Sequence, residues 1–167
     1  MAEFASGADL PPLPPDPESD TVTMLRGLLR GPNLEFAADI RSELQERMFD
    51  LCGVVRTDAG LRKLQDVLRA LVQRSMLVGV HDRGTLYNTE LMEAVELGFL
   101  LDVAGTIAEA ALARDESRGG HYREDHPLRD DANWLQHSLA YREPDDSTRL
   151  EHKDVKMGPY VPMERKY

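Results

Sequence analysis

Across residues 35–51 the apolar side chains Phe36, Ile40, Leu44, Met48 and Leu51 recur three or four positions apart, which places them on one face of a predicted helix. A second predicted helix begins after "RTDAG", with Thr57 as its N-cap and Asp58 favourable in its first turn. In it Leu61, Leu64, Leu68, Leu71, Ser75 and Val78 form an a/d seam of the kind that packs bundles. A third, capped by Asn88 or Thr89 and complemented by Glu90 and Glu93, is predicted to run to about Ser117, or ~42 Å. Over residues 91–112 that helix is apolar on nearly every face, so it must be surrounded. Two single-striped helices cover only part of it. A weaker helix over residues 20–30, the C-terminal tail or a missing neighbour must cover the rest.

These elements predict an all-α fold: an antiparallel three-helix bundle, spectrin-repeat-like, with an extended C-terminal tail. The tail could hold two short strands, "WLQHSLAYRE" and "RLEHKDVKM", joined by "EPDDST". The proline-rich "LPPLPPDPESD" cannot continue a helix and reads as an extended linker. The chain therefore divides into a linker over residues 1–19, a helical bundle over 20–117, and a charged hinge with its tail over 118–167.

Composition narrows the partners. A formal charge of −10 opposes nucleic acid and anionic lipid surfaces. The single cysteine, Cys52 in "MFDLCGVV", excludes an internal disulfide and reads as a small core residue. The N-terminus lacks the basic and apolar regions of a signal peptide, so export is not indicated, and no apolar run reaches the ~18 residues of a membrane span.

Chemistry-bearing residues concentrate in "ESRGGHYREDHPLRDD", residues 116–131. No Gly-rich dinucleotide fingerprint, P-loop, nucleophile elbow or Cys-x-x-Cys pair occurs elsewhere. His121, Asp125, His126, Asp130 and Asp131 are the possible ligands or proton carriers. A metal is disfavoured, because Arg118, Arg123 and Arg129 interleave the two histidines and would repel a cation. General acid–base work by His121 or His126 lacks a pocket-forming fold around it. Two readings remain. In one, Gly119 and Gly120 stop the helix in a left-handed turn, and alternating Arg and Asp/Glu offer forked hydrogen bonds to a facing surface, making a docking hinge. In the other the segment is a solvated loop with internal ion pairs.

The segments "GVVRTDAGLRKL", "HDRGTLYNTELMEAVELGFLLDVA", "ESRGGHYREDHPLRDDANWLQHSLAY" and the terminal "ERKY" occur in an order that resembles the C-terminal part of the flavoprotein subunit of succinate dehydrogenase and fumarate reductase. L-aspartate oxidase is a relative. The likeness covers residues 34–167, with the proline-rich linker where that family leaves its flavin domain. It implies succinate/fumarate interconversion with hydride transfer to FAD in the complete subunit, with electrons passing to an iron–sulfur subunit. It implies a cytoplasmic location, peripheral on the inner face of the cell membrane. Arg118, His121 and Arg123, with Asp125 and Arg129, resemble a loop that packs back on the flavin domain, and Arg165 resembles a supporting arginine of the tail. Arg118 is implied to support the environment in which FAD becomes attached. The flavin and substrate positions of the family lie upstream of the linker, so this chain is expected to bind no FAD and to catalyse nothing alone. It is then a fragment, a split product or an isolated domain; the rival expectation is a stand-alone, non-enzymatic helical interaction module.

Overall fold

A computed structural model describes residues 6, 7, 9, 11–143, 145, 147–160 and 163. Its helices are α1 (Ser19–Arg30), α2 (Ala37–Cys52), α3 (Asp58–Ser75), α4 (Thr89–Ala113) and the single turn α5 (Asp131–Trp134). Its strands are β1 (Val55–Arg56), β2 (Tyr122–Arg123), β3 (Gln136–Arg142) and β4 (Thr148–Asp154). About half the chain is helix, and two small sheets accompany it, which corrects the all-α expectation. β3 and β4 pair antiparallel from Gln136↔Asp154 to Arg142↔Thr148, in the two segments whose loose alternation suggested strands. The pairing of β1 with β2 is parallel, and local pattern gave no hint of it, because two residues are too few to show a period.

The long helices α2, α3 and α4 each pack against the other two, and α1 lies against α4. Their common core holds Ile40 and Leu44 of α2, Leu61, Leu64, Leu68 and Leu71 of α3, and Leu97 and Leu101 of α4. Thr57 caps α3, its hydroxyl accepting from the Gly60 amide at 3.1 Å, and Asn88 caps α4 through the Leu91 amide at 2.8 Å. The seam of α3 ends with the helix at Ser75; Val78 is buried from the segment that follows. Cys52 is buried, and burial pushes its thiol up, as a core residue requires. Phe36, expected on the inner face of α2, instead precedes the helix half-exposed and stacks on His81 at 5.1 Å.

The distribution of side chains around α4 is the unusual feature. The residues it buries are mostly alanines, namely Ala94, Ala104, Ala108 and Ala111, together with Leu97 and Leu101. Alanine lets the neighbouring helices approach closely, and the larger groups Met92, Phe99, Leu100, Val103 and Ile107 are left on the open side. Phe99 is 61% exposed. The other helices thus cover α4 on one side; the β3–β4 hairpin stands over part of the other, Arg142 reaching Asp102 at 2.6 Å, and leaves these apolar groups exposed. No helix of the described residues is long and apolar enough to cross a membrane.

This division predicts unequal mutational costs. Leu64→Ala removes fully buried volume and should lower stability by about 2–5 kcal/mol. Val103→Ala on the open side should stay within about 0.5 kcal/mol in the same urea unfolding measurement.

Candidate functional site

Helix α4 stops at Ala113, four residues short of the predicted end, although Arg114, Asp115, Glu116 and Ser117 are all compatible with continuing it. The reason is a side chain from farther along the chain. Arg123 is completely buried, and its Nη1 donates to the carbonyls of Ala111 (3.2 Å), Leu112 (3.1 Å) and Arg114 (3.3 Å), the acceptors that a helix end leaves without partners. A cation is also favourable at that end of a helix dipole. The other edge of the guanidinium forks onto Asp125, at 2.8 Å to each carboxylate oxygen. Asp125 in turn accepts from the Asp58 amide at 2.9 Å, in the first turn of α3. Arg123 holds the Asp125 carboxyl well below the usual carboxylate range, although burial opposes this.

The segment is a clasp more than a hinge. Arg118 and His121 exchange backbone hydrogen bonds of 2.8 and 3.0 Å around Gly119–Gly120, with Gly119 at φ 59°. The glycines therefore form the tip of a tight turn, not the exit from the helix. β2 then pairs with β1, the Tyr122 amide donating to the Val54 carbonyl (3.1 Å) and the Glu124 amide to that of Arg56 (3.0 Å). Ser117 closes the loop: its amide donates to the Leu128 carbonyl at 3.0 Å and its hydroxyl to that of His126 at 2.8 Å.

Glu116 is the second buried charge, with no exposed surface. It accepts from Arg114 Nη1 (2.6 Å), Arg118 Nε (2.8 Å) and Nη2 (3.0 Å), and the Asp130 amide (2.8 Å). Burial pushes its carboxyl up, but the bonds from Arg118, the Asp130 amide and Arg114 outweigh that and hold it below its ordinary value. Arg114 carries the network onward to the tail, donating to the carbonyls of Trp134 and Gln136 at 2.9 Å each and lying 5.0 Å over the Trp134 ring. Arg118 also reaches Asp131 at 2.7 Å. Arg129 forks onto Asp131 (2.7 and 2.8 Å) and donates to the Met163 carbonyl at 3.2 Å.

His121 is fixed in one tautomer by its neighbours. Arg56 Nη1, which can only donate, lies 2.8 Å from Nδ1, so Nδ1 accepts, and Nε2–H donates to the Arg114 carbonyl at 3.2 Å. Burial lowers the imidazole pKa first; the bond to the Arg114 carbonyl opposes this, and the guanidiniums of Arg56, Arg123 and Arg114 add to the lowering. A neutral imidazole locked between a guanidinium and a carbonyl is a poor proton carrier.

The structure thus brings together Arg118, His121, Arg123, Asp125 and Arg129 of the expected set; Arg165 lies outside the described residues. Sequence reasoning missed Glu116, Arg114 and Arg56 as members, although Arg56 and Glu116 stand within quoted motif segments. Among the described residues no group of His, Cys, Asp and Glu could hold a metal ion. They do not fit a flavin dinucleotide either. The β1-to-α3 junction has its amides taken by Thr57 and Asp125, where a pyrophosphate would require free ones behind a glycine-rich turn.

Two outcomes follow from the clasp. Glu116→Gln should cost about 3 kcal/mol in urea unfolding, because a buried ion pair loses one partner and the new amide faces donors. The folded-state value of His121 lies below its ordinary 6.5, so the unfolded chain protonates first as pH falls. The stability tied to it is complete above pH 6.5 and lost as pH drops through the folded value. His121→Gln should flatten the fall of the unfolding midpoint below pH 6.5, a fall that sets in before the carboxylates protonate.

Comparison with known proteins gives this clasp and its helices a family. A family model described as fumarate reductase flavoprotein C-term matches residues 41–167. The chain is 41% identical over 145 residues to the fumarate reductase flavoprotein subunit of Escherichia coli, covering 86% of this chain and 24% of that protein. It is 37% identical over 148 residues to that of Haemophilus influenzae, covering 89% and 25%. A solved structure of E. coli quinol fumarate reductase FrdA superposes with a TM-score of 0.87 at 36% identity, over 97% of this chain and 28% of the other. The chain spans about a quarter of the length of the curated relatives it matches. It belongs to the fumarate reductase flavoprotein C-terminal family.

Proposed function

We propose that this chain is the C-terminal helical domain of a flavoprotein subunit of the fumarate reductase/succinate dehydrogenase type, acting as a docking and stabilising domain. In that reading α2, α3 and α4 form an antiparallel three-helix bundle, residues 1–19 link it to a flavin domain, and residues 118–167 dock on that domain. FAD and the substrate belong to the preceding part of the subunit, which exchanges electrons between succinate/fumarate and an iron–sulfur subunit at the inner face of the cell membrane. This chain supplies no reacting group.

The observation that carries the reading is the open side of α4. Large apolar side chains project outward from a helix whose inward side is mostly alanine, and an exposed apolar stripe of that length marks an interaction surface. The clasp contributes in a specific way. Arg123 and Glu116 are wholly buried, so they act by holding the loop in shape. Arg118, His121, Asp125 and Arg129 do the same from partly exposed positions, and the surface they present is headed by Leu128, 80% exposed between Pro127 and Arg129. A docking role for Arg118 is then indirect, since its guanidinium is already committed to Glu116 and Asp131. The stand-alone module is disfavoured by the same open stripe, which a free-standing domain would cover by itself.

Mixing the chain with a flavin-domain polypeptide that ends before the proline-rich tract should yield a one-to-one complex at micromolar concentration in sedimentation velocity. No association there contradicts the reading. Leu128→Ser should weaken the association about tenfold, ~1.4 kcal/mol, while leaving the unfolding midpoint of the isolated chain unchanged.

A further inference from the structure

At the other end of α4, roughly 37 Å from the clasp at 1.5 Å per residue, the loop over residues 81–88 presents Leu86 and Tyr87 to solvent. Tyr87 is 99% exposed and holds a φ of 54°, a left-handed conformation that an aromatic residue rarely adopts. The loop around it is over-determined. Asn88, itself buried, donates to the carbonyls of Asp82 (2.7 Å) and Gly84 (2.9 Å). Glu90 accepts from the amides of His81 (2.8 Å) and Asp82 (3.0 Å), and Asp82 accepts from that of Gly84 at 2.7 Å. A rigid loop thus holds two large side chains away from their own chain. The same end of the bundle exposes Leu34 and Leu77, joined where the amides of Leu34 and Glu35 donate to the Leu77 carbonyl at 3.1 and 3.3 Å.

We propose that the Leu86–Tyr87 knuckle is a preformed anchor for the polypeptide that precedes this domain in a whole subunit. The inference rests on the docking function proposed above and assigns it a second contact, distant from the clasp. Tyrosine is a favoured residue at such anchors because it covers much area at small entropic cost, and a rigid loop has little ordering left to lose. The occupant follows from the path of the chain. In the relatives about three quarters of the subunit lies outside the matched region. The segment leading to that remainder passes through α1, which packs against α4 and ends beside Val78 and Gly79, just before the loop that carries the knuckle. A Cβ on its C-cap, Gly31, would stand 2.7 Å from the Val78 carbonyl, three residues before the loop. With 12 residues, α1 begins only about 18 Å from that end. A tethered domain entering there meets Leu86 and Tyr87 at high effective concentration, which an untethered subunit does not.

Hydroxyl-radical footprinting read by mass spectrometry tests this on three samples: the isolated chain, the whole flavoprotein subunit, and that subunit with its iron–sulfur partner. The expected result is a roughly tenfold slower oxidation of Tyr87 in the flavoprotein subunit alone than in the isolated chain. Protection that arises only on adding the iron–sulfur subunit, or nowhere, overturns the assignment. Leu128 is the separate reporter. If Leu128 is protected and Tyr87 is not, the anchor fails and the docking function stands; if neither is protected, both fall.

Discussion

Two side chains with no exposed surface, Arg123 and Glu116, carry opposite charges into the junction where α4 ends, and the loop over residues 114–131 is built around them. Taking a charge out of water is costly unless each of its hydrogen-bonding positions is met. Here they are. Arg123 terminates α4 and, through Asp125, ties the loop to the first turn of α3. Glu116 gathers Arg114, Arg118 and the Asp130 amide, and Arg114 then fixes the start of β3. Such an arrangement contributes geometry more than net stability. It determines where the chain goes after the bundle, and so which surface Leu128 and the tail offer.

The same helix shows why its far side matters. A helix that buries alanine and exposes phenylalanine, valine and isoleucine has its order of preference inverted for an isolated protein. The inversion makes sense where close helix–helix approach is needed on one side and area for a neighbour on the other. The curated relatives the chain matches run to about four times its length, and the remainder is where we propose that neighbour lies.

Much of this was legible in the sequence. The seam from Leu61 to Leu71 and the caps Thr57 and Asn88 are local signals, and each has the predicted role. The excess of apolar surface on residues 91–112 was legible too, but not its asymmetry, since alanine and phenylalanine count alike in a pattern of apolar positions. The end of α4 was misjudged because its cause is tertiary: Arg123, ten residues downstream of Ala113, takes the carbonyls that the helix would otherwise have used. The parallel pair β1–β2 failed for the same reason, joining residues 55–56 to 122–123 across the fold. Within the charged segment, the alternation of Arg and acid was visible, and its direction was not. The forks close on Glu116, Asp125 and Asp131 of the same segment before they reach any other surface.

We propose that the open side of α4 is apolar because a flavin-bearing neighbour removes it from water. Burying such a surface has a robust calorimetric signature, a negative change in heat capacity on association. Titrating the chain into the flavin-bearing portion of a subunit at several temperatures measures that quantity directly. A binding enthalpy that grows more negative as temperature rises, with the slope reduced by Phe99→Ser and Val103→Ser, is the predicted result; an enthalpy independent of temperature, or a slope indifferent to those two substitutions, contradicts the account.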